Sequence, residues 1–209
     1  MNEGTKPRGY IEKFLVVDCE TSGMAYGTDD PSYDPVTGKQ YQAVSWGLIV
    51  ADAFTLQPIE RLYIEVKWDG VSAWDPRAER IHGLSLEYLE EHGLTVEDAV
   101  VEIASLILKY WGPESPVHLG GHNVATFDLP FLRRMLRSQG LEVKFGHKYI
   151  DSNSVGFVTF GTHNSDDLFN MVGLQERDPH AHNALVDAEN TLTALRTIKQ
   201  LFNVCLEGK

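Results

Sequence analysis

Four apolar residues in succession, Phe14-Leu15-Val16-Val17, run straight into Asp18-Cys19-Glu20. Such a run is consistent with a buried strand, and a strand places residues two apart on one face. The chain must therefore bury this segment while holding two carboxylates side by side at its end. Paired carboxylates in that position can bind a hard divalent cation through oxygen. Taken alone, the same pattern also fits two solvated acids. Cys19 alternates with apolar neighbours in the strand and is expected to pack. Cys205 lies far away, with no CxxC pair, so two reduced thiols are expected and no disulfide framework.

The segments that follow read as an α/β chain. Ala43 to Ala53 and Ile59 to Lys67 are rich in β-branched and aromatic residues and are expected to be strands, joined by a hairpin around Asp52 to Pro58. Short helices are expected over Asp75 to Ile81 and Leu86 to Glu91, on either side of His82-Gly83. A longer one runs from Val96 to Trp111, with Val100, Ile103, Ile107 and Tyr110 at helical spacing and Thr95 as its cap. Gly112 and Pro113 end it. Val117 to Gly121 is a strand leading into His122-Asn123. Phe127 to Ser138 is a helix, with Pro130 tolerated in the first turn and Gly140 past the end. Lys148 to Asp151 is a short strand, with helices from about Ser152, from about Ser165, and from about Ala184 to Phe202. Gly23 to Gln42 is too polar and broken for a strand; it is expected to be a surface loop or a lid beside a site.

The chain has 209 residues, 43% hydrophobic and 23% charged, which suits one domain over 1–209 with a core of about 14–202. No apolar run approaches the roughly 18 residues that span a bilayer. The polar segment Met1 to Tyr10 lacks a secretory apolar stretch. A cytoplasmic protein is expected. The formal net charge of −12 excludes a protein that wraps long nucleic acid with a basic face. It leaves either a protein that does not touch nucleic acid or one that grips a few nucleotides while bound cations neutralise its carboxylates.

Two further segments carry acids in places suited to chemistry. In His122-Asn123-Val124-Ala125-Thr126-Phe127-Asp128 a strand ends in glycines and a carboxylate opens the next helix, where it also favours the helix dipole. In His182-Asn183-Ala184-Leu185-Val186-Asp187, Asn183 can cap the last helix, which puts Asp187 about one turn inside and His182 just before it. Histidine titrates where a water must lose its proton; His180 is a nearby alternative. Asp18, Glu20, Asp128 and Asp187 with His182 form the parts list of two-metal phosphoryl hydrolysis, in which cations about 3.5–4 Å apart clamp the attacking and leaving oxygens.

These motifs resemble those of the DEDDh (DnaQ-like) 3′–5′ exonucleases of the ribonuclease-H-like superfamily: Asp18-x-Glu20-Thr21, His122-Asn123 with Phe127-Asp128, and His182-x-Ala184-Leu185-x-Asp187-Ala188. His82-Gly83-Leu84 resembles the family's His-Gly-Ile segment, and Tyr149-Ile150-Asp151 its late strand. The resemblance implies a ribonuclease-H-like α/β fold, with a central mixed five-stranded sheet flanked by helices. It implies two Mg²⁺, with Mn²⁺ as a substitute, held by Asp18, Glu20, Asp128 and Asp187. Asp18, Glu20 and Asp187 would hold the metal that carries the attacking water; Asp18 would also touch the second, with Asp128 supporting it directly or through water. His182 would be the general base. Thr21, Met24 and Asn123 would meet the terminal nucleotide. The Gly23–Gln42 stretch is longer than the family's usual link.

The implied activity is hydrolysis at the 3′ ends of single-stranded nucleic acid, with DNA favoured slightly over RNA. An exoribonuclease acting on short RNA is the neighbouring reading. A proofreading subunit is set aside because no partner-binding segment follows the last helix, and a stand-alone enzyme is expected. A non-catalytic nucleic-acid adaptor on the same fold would typically lose a metal carboxylate, and here all four are present.

Overall fold

The computed structural model describes residues 11–174 and 182–207, with side chains as far as 205. Met1 to Tyr10 and His180 lie outside the described residues. A mixed sheet of five strands forms the centre: β1 (Lys13–Thr21), β4 (Ala43–Asp52), β5 (Pro58–Glu65), β6 (Val117–Gly121) and β7 (Phe145–Asp151), in the order β5-β4-β1-β6-β7. β1 pairs antiparallel with β4, and β4 with β5; β6 and β7 run parallel to β1. This is the five-stranded mixed sheet expected from the sequence. β7 begins three residues before the expected strand, across Phe145-Gly146-His147, where a glycine hides the apolar pattern.

The helices cover both faces. α3 (Val96–Trp111) and α4 (Asp128–Ser138) press Ile103, Leu106, Leu132 and Met135 against Leu15, Val17 and Cys19 on one face. On the other, α7 (Ala184–Glu207) sets Ala188, Leu192 and Leu195 against Phe14, Val16 and Ile49. α1 (Pro76–His82), α2 (Leu86–His92), α5 (Ser152–Phe160) and α6 (Ser165–Met171) complete the order. Their caps follow the sequence: Thr95 Oγ1 accepts from Asp98 N at 3.1 Å, and Asn183 Oδ1 accepts from Leu185 N and Val186 N at 3.1 and 3.2 Å. α7 runs several residues past the expected end at Phe202. Among the described residues no helix is long and apolar enough to cross a membrane.

Because side chains alternate along β1, Asp18 and Glu20 share the α7 face with Phe14 and Val16, while Cys19 faces α4. Two features then bring α7 to those carboxylates. Gly47 of β4 lies opposite Asp18, and a Cβ at Gly47 would fall inside the carbonyl of Ala184, the first residue of α7. The bare backbone at Gly47 is what lets the helix start sit directly on the strand.

The Gly23–Gln42 stretch differs from the sequence expectation, for it contains a small antiparallel ladder, β2 (Tyr33–Asp34) with β3 (Lys39–Gln40). Local polar bonds replace apolar patterning here. Asp34 Oδ1 accepts from Val36 N at 2.9 Å, and Gly38 N donates to Asp34 O at 2.8 Å. The base of the ladder is tied to α4, where Arg134 Nε donates to Ser32 Oγ at 2.8 Å and the guanidinium lies 5.6 Å over the Tyr33 ring.

Gly47→Ala is expected to lower the free energy of unfolding by about 3 kcal/mol, the upper end of overpacking costs, because a backbone carbonyl cannot move aside as a rotamer can. Urea titration of the variant checks this, and an unchanged midpoint would mean that α7 has room to shift.

Candidate metal centre

The end of β1, the start of α7, α1, α6 and His122 just after β6 border a cleft of about 260 Å³. Asp18, Glu20 and Thr21 reach it from β1, Met24 from the segment that follows, and His182 and Asp187 from the α7 side. Glu20, His182 and Asp187 each offer one ligand atom, and these atoms all lie within 4.8 Å of one another. His182 Nδ1 is 3.8 Å from Asp187 Oδ2. Asp187 is nearly buried, with its side chain 5% exposed, and that of His182 is 23% exposed at the rim. Two carboxylates this close repel each other in low dielectric unless a cation lies between them. The Glu20 and Asp187 carboxylates offer the oxygen donors that a hard divalent cation takes, and the imidazole nitrogen stands in the same group. The residues present therefore fit a divalent metal.

Backbone bonds hold this group in place. His182 N donates to Ile81 O at 3.3 Å, which ties the segment before α7 to the end of α1. Ser22, wholly buried, locks the chain just beyond Thr21: its Oγ donates to Ala73 O at 2.8 Å, its N–H donates to Gln42 O at 2.8 Å, and its carbonyl accepts from Asp75 N at 2.7 Å. The β1–β4 register shifts between Glu20 and Thr21, so the strand turns away from its partner where the cleft begins.

Asp128 occupies a different position from the other acids. It is 2% exposed, on the α4 side, against Cys19 rather than in the wall of the cleft. Burial raises its carboxyl to about 7, opposed by bonds from Cys19 and from its own backbone N–H. Burial, with Asp128 next in weight, likewise pushes the Cys19 thiol well above its ordinary range. Asn123 is exposed, with a left-handed φ of 59°, and donates its backbone N–H to Asp151 Oδ1 at 3.0 Å; its side chain is not part of the cleft wall. Asp18, Glu20, Asp187, His182, Thr21 and Met24 thus come together, whereas Asp128 and Asn123 stand just outside.

Three residues emerge that the sequence reading did not place in the site. His82 lines the cleft and is 5% exposed. Its Nδ1 accepts from Leu84 N at 3.0 Å, so the proton of the neutral ring sits on Nε2. The His-Gly-Leu resemblance is the signal that points to it. His122 bridges β6 to α5 and the loop before α6, with Nδ1 at 2.9 Å from Ser152 Oγ and Nε2 at 3.0 Å from the His163 carbonyl. Since a carbonyl only accepts, Nε2 carries hydrogen. Arg77 lies on the α1 wall, and nothing in its sequence surroundings marks it.

No protein-family model and no curated protein matches this sequence. Solved structures do. E. coli exonuclease I, in a zinc-bound complex with single-stranded DNA, is 18% identical with a TM-score of 0.71; the match covers 90% of this chain and 40% of that one. A complex of the same enzyme with a dT13 oligonucleotide gives 17% and 0.71, covering 93% and 43%. The nuclease domain of 3′hExo, a DEDDh family member bound to rAMP, is 14% identical with a TM-score of 0.67, covering 92% of this chain and 94% of that domain. This chain therefore spans about two fifths of the exonuclease I chain and nearly all of the 3′hExo domain. It has the ribonuclease-H-like fold of these nucleases.

Two outcomes follow from the electrostatics. Burial lowers His82 from 6.5 to about 4. Between those values the unfolded chain binds more protons than the folded one, so this contribution is whole above about pH 6.5 and fades as pH falls towards 4. The full loss is of order 3 kcal/mol, and His82→Asn should flatten that part of a stability–pH profile measured by urea titration. Separately, Glu20→Gln is expected to stabilise the metal-free chain by about 1 kcal/mol through relieved repulsion and to abolish the rise in thermal midpoint on adding Mn²⁺. Both effects are read by differential scanning calorimetry.

Proposed function

We propose that this chain is a DEDDh-type, metal-dependent 3′–5′ exonuclease, a single exonuclease domain that removes nucleoside 5′-monophosphates one at a time from single-stranded ends. The observation that carries the reading is the meeting of Glu20, Asp187 and His182 within 4.8 Å, beside Asp18, in one cleft. The ribonuclease-H-like fold and the sequence motifs support it. Single-stranded DNA is favoured slightly over RNA, and the acidic chain, at −12, suits local contact with a few nucleotides rather than a long basic track.

Asp18, Glu20 and Asp187 would hold two Mg²⁺ ions or their Mn²⁺ substitutes, with Asp128 assisting from behind Cys19. Divalent cations bound there supply positive charge against the scissile phosphate and the leaving 3′ oxygen, and lower the pKa of a coordinated water. The protein's own part is proton management and positioning. The His182 imidazole stands at the rim, with Nδ1 3.8 Å from Asp187 Oδ2, and the backbone bond to Ile81 holds the segment that carries it. It takes the proton as water oxygen attacks phosphorus and the P–O3′ bond breaks. Thr21, locked by Ser22, offers backbone to the terminal 3′ hydroxyl, and Met24 meets the terminal base. Asn123, outside the cleft wall, would touch the nucleotide only at its edge.

A digestion assay tests this with end-labelled single- and double-stranded DNA and RNA, in Mg²⁺, Mn²⁺ and chelator. The expected pattern is stepwise shortening from the 3′ end, fastest on single-stranded DNA, with none in chelator and none for Asp18→Ala. Chelator-resistant cleavage would overturn the reading, and faster cleavage of RNA would assign the exoribonuclease alternative. His182→Ala should reduce kcat by about 10²–10⁴-fold with little change in the metal concentration giving half-maximal rate. Surviving turnover at saturating metal, with weakened metal affinity, would make His182 a ligand instead of the base.

A further inference from the structure

The cleft of about 260 Å³ lies near the roughly 300 Å³ lower end of small-molecule sites. That space suits one nucleotide, so the next nucleotide of a strand must rest outside it, on the mouth. Two side chains stand there. Tyr26, in the inserted segment, is 73% exposed. Arg77, on the first turn of α1, has a side chain 70% exposed. Both also line the cleft, which makes them its lip rather than its floor.

Their chemistry is complementary. Arg77 is the sole Lys or Arg among the described residues lining the cleft, against the four carboxylates of Asp18, Glu20, Asp75 and Asp187. Asp75 grips it by one edge, with Oδ2 at 2.9 Å from Nη2 and 3.1 Å from Nε. This fixes the direction of the guanidinium without burying it. Tyr26 and Arg77 line the same cleft from two different segments. The inserted segment that carries Tyr26 is closed on itself by Ala25 N, which donates to Pro31 O at 2.8 Å, and is anchored to the fold by Arg134 of α4, which holds Ser32. An exposed ring on an anchored segment, with a directed guanidinium on the same cleft, offers a stacking surface and a phosphate contact.

We propose that Tyr26 and Arg77 bind the second nucleotide from the 3′ end, Tyr26 stacking on its base and Arg77 contacting a backbone phosphate. The inserted segment is then a substrate-positioning element, and chains with at least two nucleotides are favoured over single nucleotide esters. This rests on the exonuclease reading above.

The test uses the full chain and two substrates: a single-stranded DNA oligonucleotide, and thymidine 5′-monophosphate p-nitrophenyl ester, which presents one nucleotide only. Tyr26→Ala and Arg77→Ala should each raise KM for the oligonucleotide about tenfold or more, with kcat held. The loss on the ester should be far smaller than on the oligonucleotide. Tyr26→Phe, which keeps the ring, should restore the oligonucleotide KM. Binding of the labelled oligonucleotide in Ca²⁺, followed by fluorescence anisotropy, should weaken by the same factor. Equal losses on both substrates would place these residues at the terminal nucleotide and overturn the proposal. So would an unchanged KM, or a loss seen instead with Phe157→Ala, on the exposed stack that Phe157 forms with His163. A wild-type chain that cleaves neither substrate would remove the exonuclease reading. In that case weakened anisotropy in the two variants would still support the nucleotide contact, and unchanged anisotropy would overturn it.

Discussion

The first turn of α7 rests on the bare backbone of Gly47, and the site depends on that contact. β4 at Gly47 is the neighbour of β1 at Asp18. With no side chain between them, the Ala184 backbone reaches the strand, and Asp187 and His182 come within reach of Glu20. Apolar burial of Ala188, Leu192 and Leu195 along the same helix supplies the driving force. The glycine sets the depth at which that burial stops. A candidate metal centre built from two elements far apart in sequence needs such a stop, because ligand positions matter on a scale much smaller than a methyl group.

The alternation of β1 divides the acids between two environments. Asp18 and Glu20 fall on the α7 side, where water and the cleft reach them. Cys19, one residue between, turns inward and meets Asp128 at the start of α4. Asp128 is thereby shielded from solvent and drawn towards its neutral form, while the cleft acids stay at the mouth of the site. A positive charge brought near this carboxyl would favour its ionised form. The sheet thus supports the cleft from behind as well as from its edge.

The inserted segment illustrates how polar chain gains structure without a core of its own. Asp34 and Asp30 organise its turns through their side chains, and Arg134 clamps its base from a helix that belongs to the main fold. Ser22 and Gln42 close the loop where it leaves and rejoins the sheet. Such anchoring matters for function because a binding group on a tethered loop loses less entropy when it engages a ligand.

Much of this molecule is legible in its residues alone. Apolar runs and β-branched stretches mark the strands, helical spacing and caps such as Thr95 and Asn183 mark the helices, and Asp18-x-Glu20 and His182 with Asp187 mark the candidate ligands, because all of these are local patterns with short periods. β7 was legible only in part, since Gly146 interrupts its pattern, and the ladder at Tyr33 and Gln40 was hidden because side-chain bonds, not hydrophobic alternation, hold it. What the sequence by itself determined is the set of elements and the chemistry they carry. Only the tertiary structure decided which carboxylates share a cleft, that Asp128 sits behind Cys19, and that Tyr26 and Arg77 form its lip. Those outcomes depend on strand parity, on one missing Cβ at Gly47 and on contacts between segments distant in the chain, none of which leaves a periodic signal in the residues themselves.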